Sequence, residues 1–187
     1  MELKNKTIFF LGSSVTYGSA AGGVSMADIL AETCACTAVK EAVSGTTLAD
    51  VNERSYVSRL KCAEVTGPID LFVCQLSTND AKRNIPLCDV ERAIREIIAL
   101  VKERYACPIV FYTGTRYESE AYERMIALLY DLQREYGFAV LDLFYDEEMS
   151  AVSEVDYHRY MKDPIHPTLL GYREWWTPKF EAFFRGM

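Results

Sequence analysis

The stretch TIFFLGSSVTYG, Thr7–Gly18, decides how this chain is read. Thr7–Leu11 is apolar at consecutive rather than alternate positions, the pattern of a strand covered on both faces. The run stops at Gly12, and Ser13, Ser14, Thr16 and Gly18 follow at once. Outward from it, the same pattern recurs in Ala38–Val43, Ile69–Leu76, Pro108–Thr113 and Phe138–Phe144, runs rich in Val, Ile and Phe. Helical patterns lie between them. Ser25-Met26-Ala27-Asp28 has the form of a capping box opening a helix toward Cys34. Asp89 is placed to cap a helix reaching about Tyr105, with Val90, Ala93, Ile94, Ile97, Ile98 and Val101 on one stripe. Glu118–Tyr136 reads as another helix, with Met125, Ile126, Leu128, Leu129 and Leu132 inward and Gly137 ending it. Thr168–Phe184 is a last helical region, expected to break near Thr177-Pro178, with Tyr172, Trp175, Trp176 and Phe180 packing inward.

Strand and helix alternating in this way predict an α/β fold: a parallel sheet of about five strands with helices on both faces. Crossovers in such sheets are right-handed, and ligands sit beyond the carboxyl ends of the strands. The segments just past the five runs are therefore the place to look for chemistry. They are Gly12–Gly18, Ser44-Gly45-Thr46-Thr47, Ser77-Thr78-Asn79-Asp80, Gly114-Thr115-Arg116-Tyr117 and, beyond a longer loop, Asp163-Pro164-Ile165-His166-Pro167.

Composition bounds the function. The chain has 187 residues, 50% hydrophobic and 25% charged, which suits one domain over 1–187 with an adequate core. No linker, repeat or low-complexity segment divides it. The formal net charge of −7 argues against nucleic acid or an anionic membrane surface as partner, since phosphate binding needs a basic patch. No run approaches the ~20 apolar residues of a membrane span, and the N-terminal apolar stretch is too short for a signal-peptide core. A cytoplasmic protein is expected. Its six cysteines, Cys34, Cys36, Cys62, Cys74, Cys88 and Cys107, are then expected to be free thiols. Cys34-Ala35-Cys36 lacks zinc-ligand spacing and has no histidine near it in sequence, so no metal is expected.

Acyl transfer would make use of the residues at these strand ends. A serine hydroxyl is a poor nucleophile without an adjacent base. Of the two histidines, His158 and His166, the second comes three residues after an aspartate. Asp163 could accept from one ring nitrogen of His166, fix the tautomer and leave the other nitrogen for Ser14. The backbone N–H groups of Ser14 and Gly45 and the side-chain amide of Asn79 could supply three donors to an oxyanion. Arg116 and Tyr117, with the acidic and aromatic stretch 142–162, could wall a substrate pocket. Each piece alone is ordinary: a glycine-serine turn is usually a turn, and an Asn-Asp pair usually makes an Asx-turn. Together they fall at the strand ends in a workable order.

With these blocks in place the chain resembles the SGNH hydrolase superfamily, the GDSL-type esterases and lipases. Gly12, Ser14, Val15, Thr16 and Gly18 match its serine block, Gly45 its glycine block, Asn79-Asp80 its Asn block, and Asp163 and His166 with Pro167 its last block. The resemblance implies a flavodoxin-like α/β/α sandwich. It implies Ser14 as nucleophile, His166 as general base and Asp163 as its orienting partner. Ser14, Gly45 and Asn79 would form the oxyanion hole, and no cofactor is called for. Ser13 stands where the family usually has Asp, and Ser77 where the Asn block usually has Gly. These departures bear on loop geometry and substrate preference rather than on the chemistry. An α/β-hydrolase elbow fits less well, because Gly12-Ser13-Ser14-Val15-Thr16 lacks the second glycine.

The leading expectation is a serine esterase acting on small acyl esters, acetylated carbohydrates among them, through an acyl-enzyme. Transfer to an acceptor alcohol or thiol on the same site is one alternative. A catalytically silent module holding a small anionic ligand at Gly12–Gly18 is another. That segment carries neither a Walker-type Gly-Lys-Ser/Thr nor a Gly-x-Gly-x-x-Gly fingerprint.

Overall fold

The computed structural model describes residues 1–65 and 67–187. Five parallel strands form one sheet: β1 (Thr7–Gly12), β2 (Thr37–Ala42), β3 (Leu71–Gln75), β4 (Ile109–Tyr112) and β5 (Ala139–Leu141). Their order is β2-β1-β3-β4-β5, the flavodoxin-like arrangement. The order reverses direction at β1, and β1 and β3 pair from Ile8↔Leu71 to Leu11↔Cys74.

Side chains alternate across each strand, so consecutive apolar residues supply two cores. Phe9 and Leu11 of β1 and Phe72 and Cys74 of β3 face one side. There they meet the apolar stripes of α3 (Tyr56–Cys62), α5 (Leu87–Arg104) and α6 (Glu120–Tyr136). The rings of Phe9 and Phe72 pack edge to face at 5.3 Å. Ile8 and Phe10 of β1 and Leu71 and Val73 of β3 face the other side. That face is covered by α2 (Met26–Cys34), the π-helical turn Tyr172–Trp176 and α10 (Thr177–Gly186). The result is the three-layer α/β/α sandwich expected from the sequence.

The two outer strands differ from the inner three. Most of β2 is only half-buried, and so are Ala139 and Val140 of β5, because an edge strand has a neighbour on one side alone. Helix α2 opens on the expected box: Ser25 Oγ accepts from Ala27 N, and Asp28 Oδ2 accepts from Ser25 N at 2.8 Å. Gly137 closes α6 in the left-handed conformation, with its amide on the Gln133 carbonyl at 2.8 Å.

Three details correct the expectations. Helix α5 begins at Leu87 behind Pro86, so Asp89 lies within its first turn rather than capping it. Helix α3, capped by Ser55 Oγ on the Ser58 amide, carried too short a pattern to stand out. The last helical region does not break at Thr177-Pro178. Tyr172–Trp176 takes i→i+5 bonding, and Pro178 falls in the first turn of α10, where its missing N–H costs nothing.

Five further elements surround the sheet's carboxyl edge. Helix α1 (Ser14–Tyr17) comes after β1, α4 (Thr78–Lys82) comes after β3, and α7 (Glu147–Ser150) and α8 (Glu154–Tyr160) span the long connection after β5. Helix α9 (Leu169–Gly171) leads into the π-helical turn. Among the described residues no helix is long and apolar enough to cross a membrane.

Candidate active site

Ser14 is the first residue of α1, one position beyond the turn that leaves β1. That turn is tight because Gly12 has no side chain: a Cβ there would collide with Thr16 and lie 2.9 Å from Gln75 Oε1. The helix is a single turn, closed by Tyr17 N on the Ser13 carbonyl and Gly18 N on the Ser14 carbonyl. Gly18 ends it at φ +89°, and a Cβ there would meet the Val24 backbone. From below, the Tyr172 hydroxyl donates to the Val15 carbonyl at 2.6 Å, so the π-helical turn braces α1.

His166 reaches the same place from the other end of the chain. Its loop is pinned at its base by a bridge between Met161 and Pro167 and by Lys162 N on the His166 carbonyl at 2.8 Å. Within the loop, Asp163 Oδ1 accepts from the amides of Ile165 and His166 at 2.8 and 2.9 Å. The same carboxylate lies 2.9 and 2.8 Å from His166 Nδ1. Nε2, on the far side of the ring, lies 2.9 Å from Ser14 Oγ. Burial raises the Asp163 carboxyl, but the Ile165 amide, then His166, outweigh it and hold it below the usual carboxylate range. A carboxylate at Nδ1 fixes the proton there and leaves Nε2 as an acceptor. A serine hydroxyl so placed can hand its proton to the ring as it attacks an electrophile.

Asn79 stands on α4 beside this pair. Its Nδ2 donates to the Thr46 carbonyl at 2.9 Å and approaches Ser13 Oγ at 3.4 Å. The neighbouring Asp80 is wholly buried and accepts from the amides of Leu48 and Ala49 at 2.8 and 2.9 Å, which ties the loop after β2 to α4. Desolvation raises the Asp80 carboxyl despite these bonds.

A pocket of about 460 Å³ opens over Ser14 and His166. Thr78, Asn79, Tyr117, Pro164 and Ile165 are among its walls, and Lys82 and Glu118 also line it. Tyr117 is held there against Tyr122 and Phe144, at ring separations of 5.2 and 6.1 Å, and burial pushes its phenol up to about 12. The structure thus gathers Ser14, Asn79, Tyr117, Asp163 and His166 about one pocket. Arg116 lines a neighbouring pocket of about 390 Å³ with Leu143, Met149, Val152, Tyr157 and Trp175. Gly45 lines a third, with Arg54 and Arg83, and its carbonyl accepts from Arg83 at 2.7 Å. His158 is exposed on α8, where Nε2 lies 3.9 Å from Glu154. Among the described residues no three His, Cys, Asp or Glu side chains are grouped to hold a metal ion.

Sequence reasoning missed the layer beneath the site. Gln75 and Tyr112 at strand ends and Arg59 on α3 contact the serine turn from below, Tyr56 of α3 reaches Gln75, and only the strand-end places of Gln75 and Tyr112 could have flagged any of the four. Arg59 Nη2 donates to the Gly12 carbonyl at 2.7 Å from α3, an element that the sequence pattern did not reveal.

Known proteins share this framework. A protein from Lactobacillus plantarum superposes with a TM-score of 0.82 at 20% identity, over 98% of each chain. A member of the lipolytic protein G-D-S-L family from Veillonella parvula matches with a TM-score of 0.75 at 16% identity, over 97% of this chain and all of the other. AlinE4, an SGNH-hydrolase family esterase, matches at 0.64 and 18% identity, over 98% and 97%. At these identities the likeness is one of fold. No curated protein matches the sequence. The model of the GDSL-like lipase/acylhydrolase family matches residues 10–174, from the end of β1 through the loop of His166. The chain belongs to the GDSL-like lipase/acylhydrolase family.

Proposed function

We propose that the protein is a serine esterase for small acyl esters, acetylated carbohydrates among them, working through an acyl-enzyme on Ser14. The observation that carries this is the continuous chain of contacts from Asp163 through His166 to Ser14 Oγ, opening on a pocket. Ser14 Oγ attacks the ester carbonyl while His166 Nε2 takes its proton. Asp163 stabilises the imidazolium that forms. The carbonyl oxygen gathers charge, which donors from the Ser14 amide, the Gly45 amide and Asn79 Nδ2, the set that the family pattern suggests, would stabilise. Collapse of the intermediate breaks the bond to the leaving alcohol, which takes the proton from His166. Water then enters and adds to the acyl carbonyl as His166 Nε2 removes its proton, and His166 returns that proton to Ser14 Oγ as the bond to the acyl group breaks and the acid leaves.

Substrate size is bounded by the pocket. A volume of about 460 Å³, shared by acyl and alcohol parts, suits short chains. Tyr117 supplies an apolar wall there, whereas Arg116, set in the adjoining pocket, would meet only a substrate that extends beyond the first.

The test is hydrolysis of p-nitrophenyl acetate and butyrate by the wild-type protein and by Ser14→Ala. Turnover is expected to prefer acetate and to vanish in the variant, with loss of fluorophosphonate labelling. Equal rates in the two proteins would move the chemistry away from Ser14. Chromatography of the products with an added acceptor alcohol should show free acid; a new ester would mark a transferase instead.

A further inference from the structure

Resting on the esterase reading, we infer that Gln75 is a positioning residue of the active site, joining the serine turn to Asn79 through the Ser13 hydroxyl. Gln75 ends β3 with its side chain beneath the turn after β1, and it is 1% exposed. Its Oε1 lies 2.9 Å from Ser13 N, 2.9 Å from Thr16 Oγ1, 3.3 Å from Ser13 Oγ and 3.5 Å from Tyr56 OH. The Ser13 amide can only donate, so the carbonyl end of the Gln75 amide is the end that faces the turn. A carbonyl oxygen offers two lone pairs. Here more donors converge on it than it can fully serve, and all of them flank Ser14 or lie below it.

The direction of the bonds gives this cluster a purpose. Asn79 Nδ2 donates toward Ser13 Oγ at 3.4 Å, and Ser13 Oγ donates to Gln75 Oε1. Thr16 Oγ1 donates to the same oxygen and can accept from Tyr112 OH, 2.6 Å away. Ser13 precedes α1, yet its side chain makes no capping bond to that helix. The hydroxyl is turned instead toward Gln75 and Asn79. One buried acceptor therefore fixes both the residue before Ser14 and, at one remove, the amide next to it. At position 13 the usual family residue is an acid, which would itself be the acceptor; with serine there, the acceptor comes from β3.

A positioning role predicts a loss in kcat with substrate binding retained. In Gln75→Leu, which is similar in size and accepts no bond, kcat on p-nitrophenyl acetate is expected to fall roughly 10–100-fold, as misplacement by about 1 Å can do. KM should stay within about threefold, and the rate of fluorophosphonate labelling should fall with kcat. Gln75→Glu keeps an oxygen acceptor at the same reach and should recover most of the rate. Ser13→Ala removes the link to Asn79; its effect and that of Gln75→Leu should combine to less than their product. A Gln75→Leu protein with a lower Tm but wild-type kcat would show a purely structural residue and overturn the inference, as would a Gln75→Glu protein no better than Gln75→Leu. Should Gln75→Leu fail to fold, Ser13→Ala decides: a kcat loss of about fivefold or more supports the link, and wild-type kcat removes it. A wild-type protein that neither hydrolyses esters nor takes the label defeats the esterase reading, and this inference with it.

Discussion

Asp163 does two jobs with one carboxylate. It closes its own loop by accepting from the Ile165 and His166 amides, and it faces His166 Nδ1. An asparagine could still accept the two amides through its oxygen. Its NH₂ would then face Nδ1 as a donor, which favours the tautomer with the proton on Nε2, pointing at Ser14. Asp163→Asn is therefore expected to fold normally and to lose on the order of 10²–10⁴ in kcat at neutral pH, measured by initial rates beside a thermal melt. Full activity would remove Asp163 from the proposed machinery. Ser14 and Asn79 stood out in the sequence because each falls just past an apolar run, whereas Asp163 and His166, beyond a longer loop, stood out by their Asp-x-x-His spacing. Gln75 was not legible. It lies inside the run Ile69–Leu76, and only the contact across to β1 reveals that it serves the neighbouring strand's turn. Arg116 and Tyr117 are adjacent in sequence yet line different pockets, a divergence set by side-chain direction that no spacing reports.

At the scale of elements, the fold was readable where apolar periodicity was strong. The inner strands, α2, α5 and α6 emerged within a few residues of their observed ends, because their pattern persists for the whole element. Helix α3 escaped because much of its anchoring is polar and tertiary: Ser55 caps it and Arg59 reaches back to Glu41, Gly12 and Thr46. The fate of the last helix depended on hydrogen bonding around Pro178, which a widened π turn absorbs without a break. Just before that turn, Gly171 sits against α8: a Cβ there would overlap the Tyr160 carbonyl and lie 2.9 Å from its carbon. Tyr160 O also accepts from Thr168 N at 2.8 Å, so this contact closes the base of the loop that carries Asp163 and His166. Gly171→Ala must push α8 and α9 apart. It is expected to cost roughly 1–3 kcal/mol, as overpacking does, and to lower Tm by about 2–12 °C. Because the displacement starts at the His166 loop, kcat should fall as well. A melt and a rate on the same sample check both, and an alanine variant with unchanged Tm would show that the two elements separate freely.

For the whole molecule the distribution of carboxylates sets the response to acid. Asp70 is held below its usual range first by the Lys6 ammonium at 2.9 Å and then by the Thr7 amide at 2.8 Å. Asp50 is lowered first by the Ser55 hydroxyl. In Asp146 and Asp163 burial pulls upward, but Lys179 in the first and the Ile165 amide with His166 in the second outweigh it. Arg95 lowers Glu135. Each of these groups binds its proton less tightly in the folded chain than in the unfolded one. Its contribution to stability is fully present above the unfolded value of about 4 and is lost as pH falls through the lower folded value. Asp80 runs the other way. Burial raises it, so the folded chain binds that proton more tightly, and acidification between its unfolded and folded values favours folding. One raised group opposes five lowered ones, and they act in different windows: Asp80 above about pH 4, the others below it. Stability should therefore change little, or rise slightly, from pH 6 to about pH 4 and then fall steeply. Tm measured in steps across that range checks the shape. Asp70→Asn should flatten the acid limb while leaving Asp80's contribution in place, and Asp80→Asn should remove the rise; a monotonic decline from pH 6 in the wild type would mean that Asp80 stays ionised in its buried site.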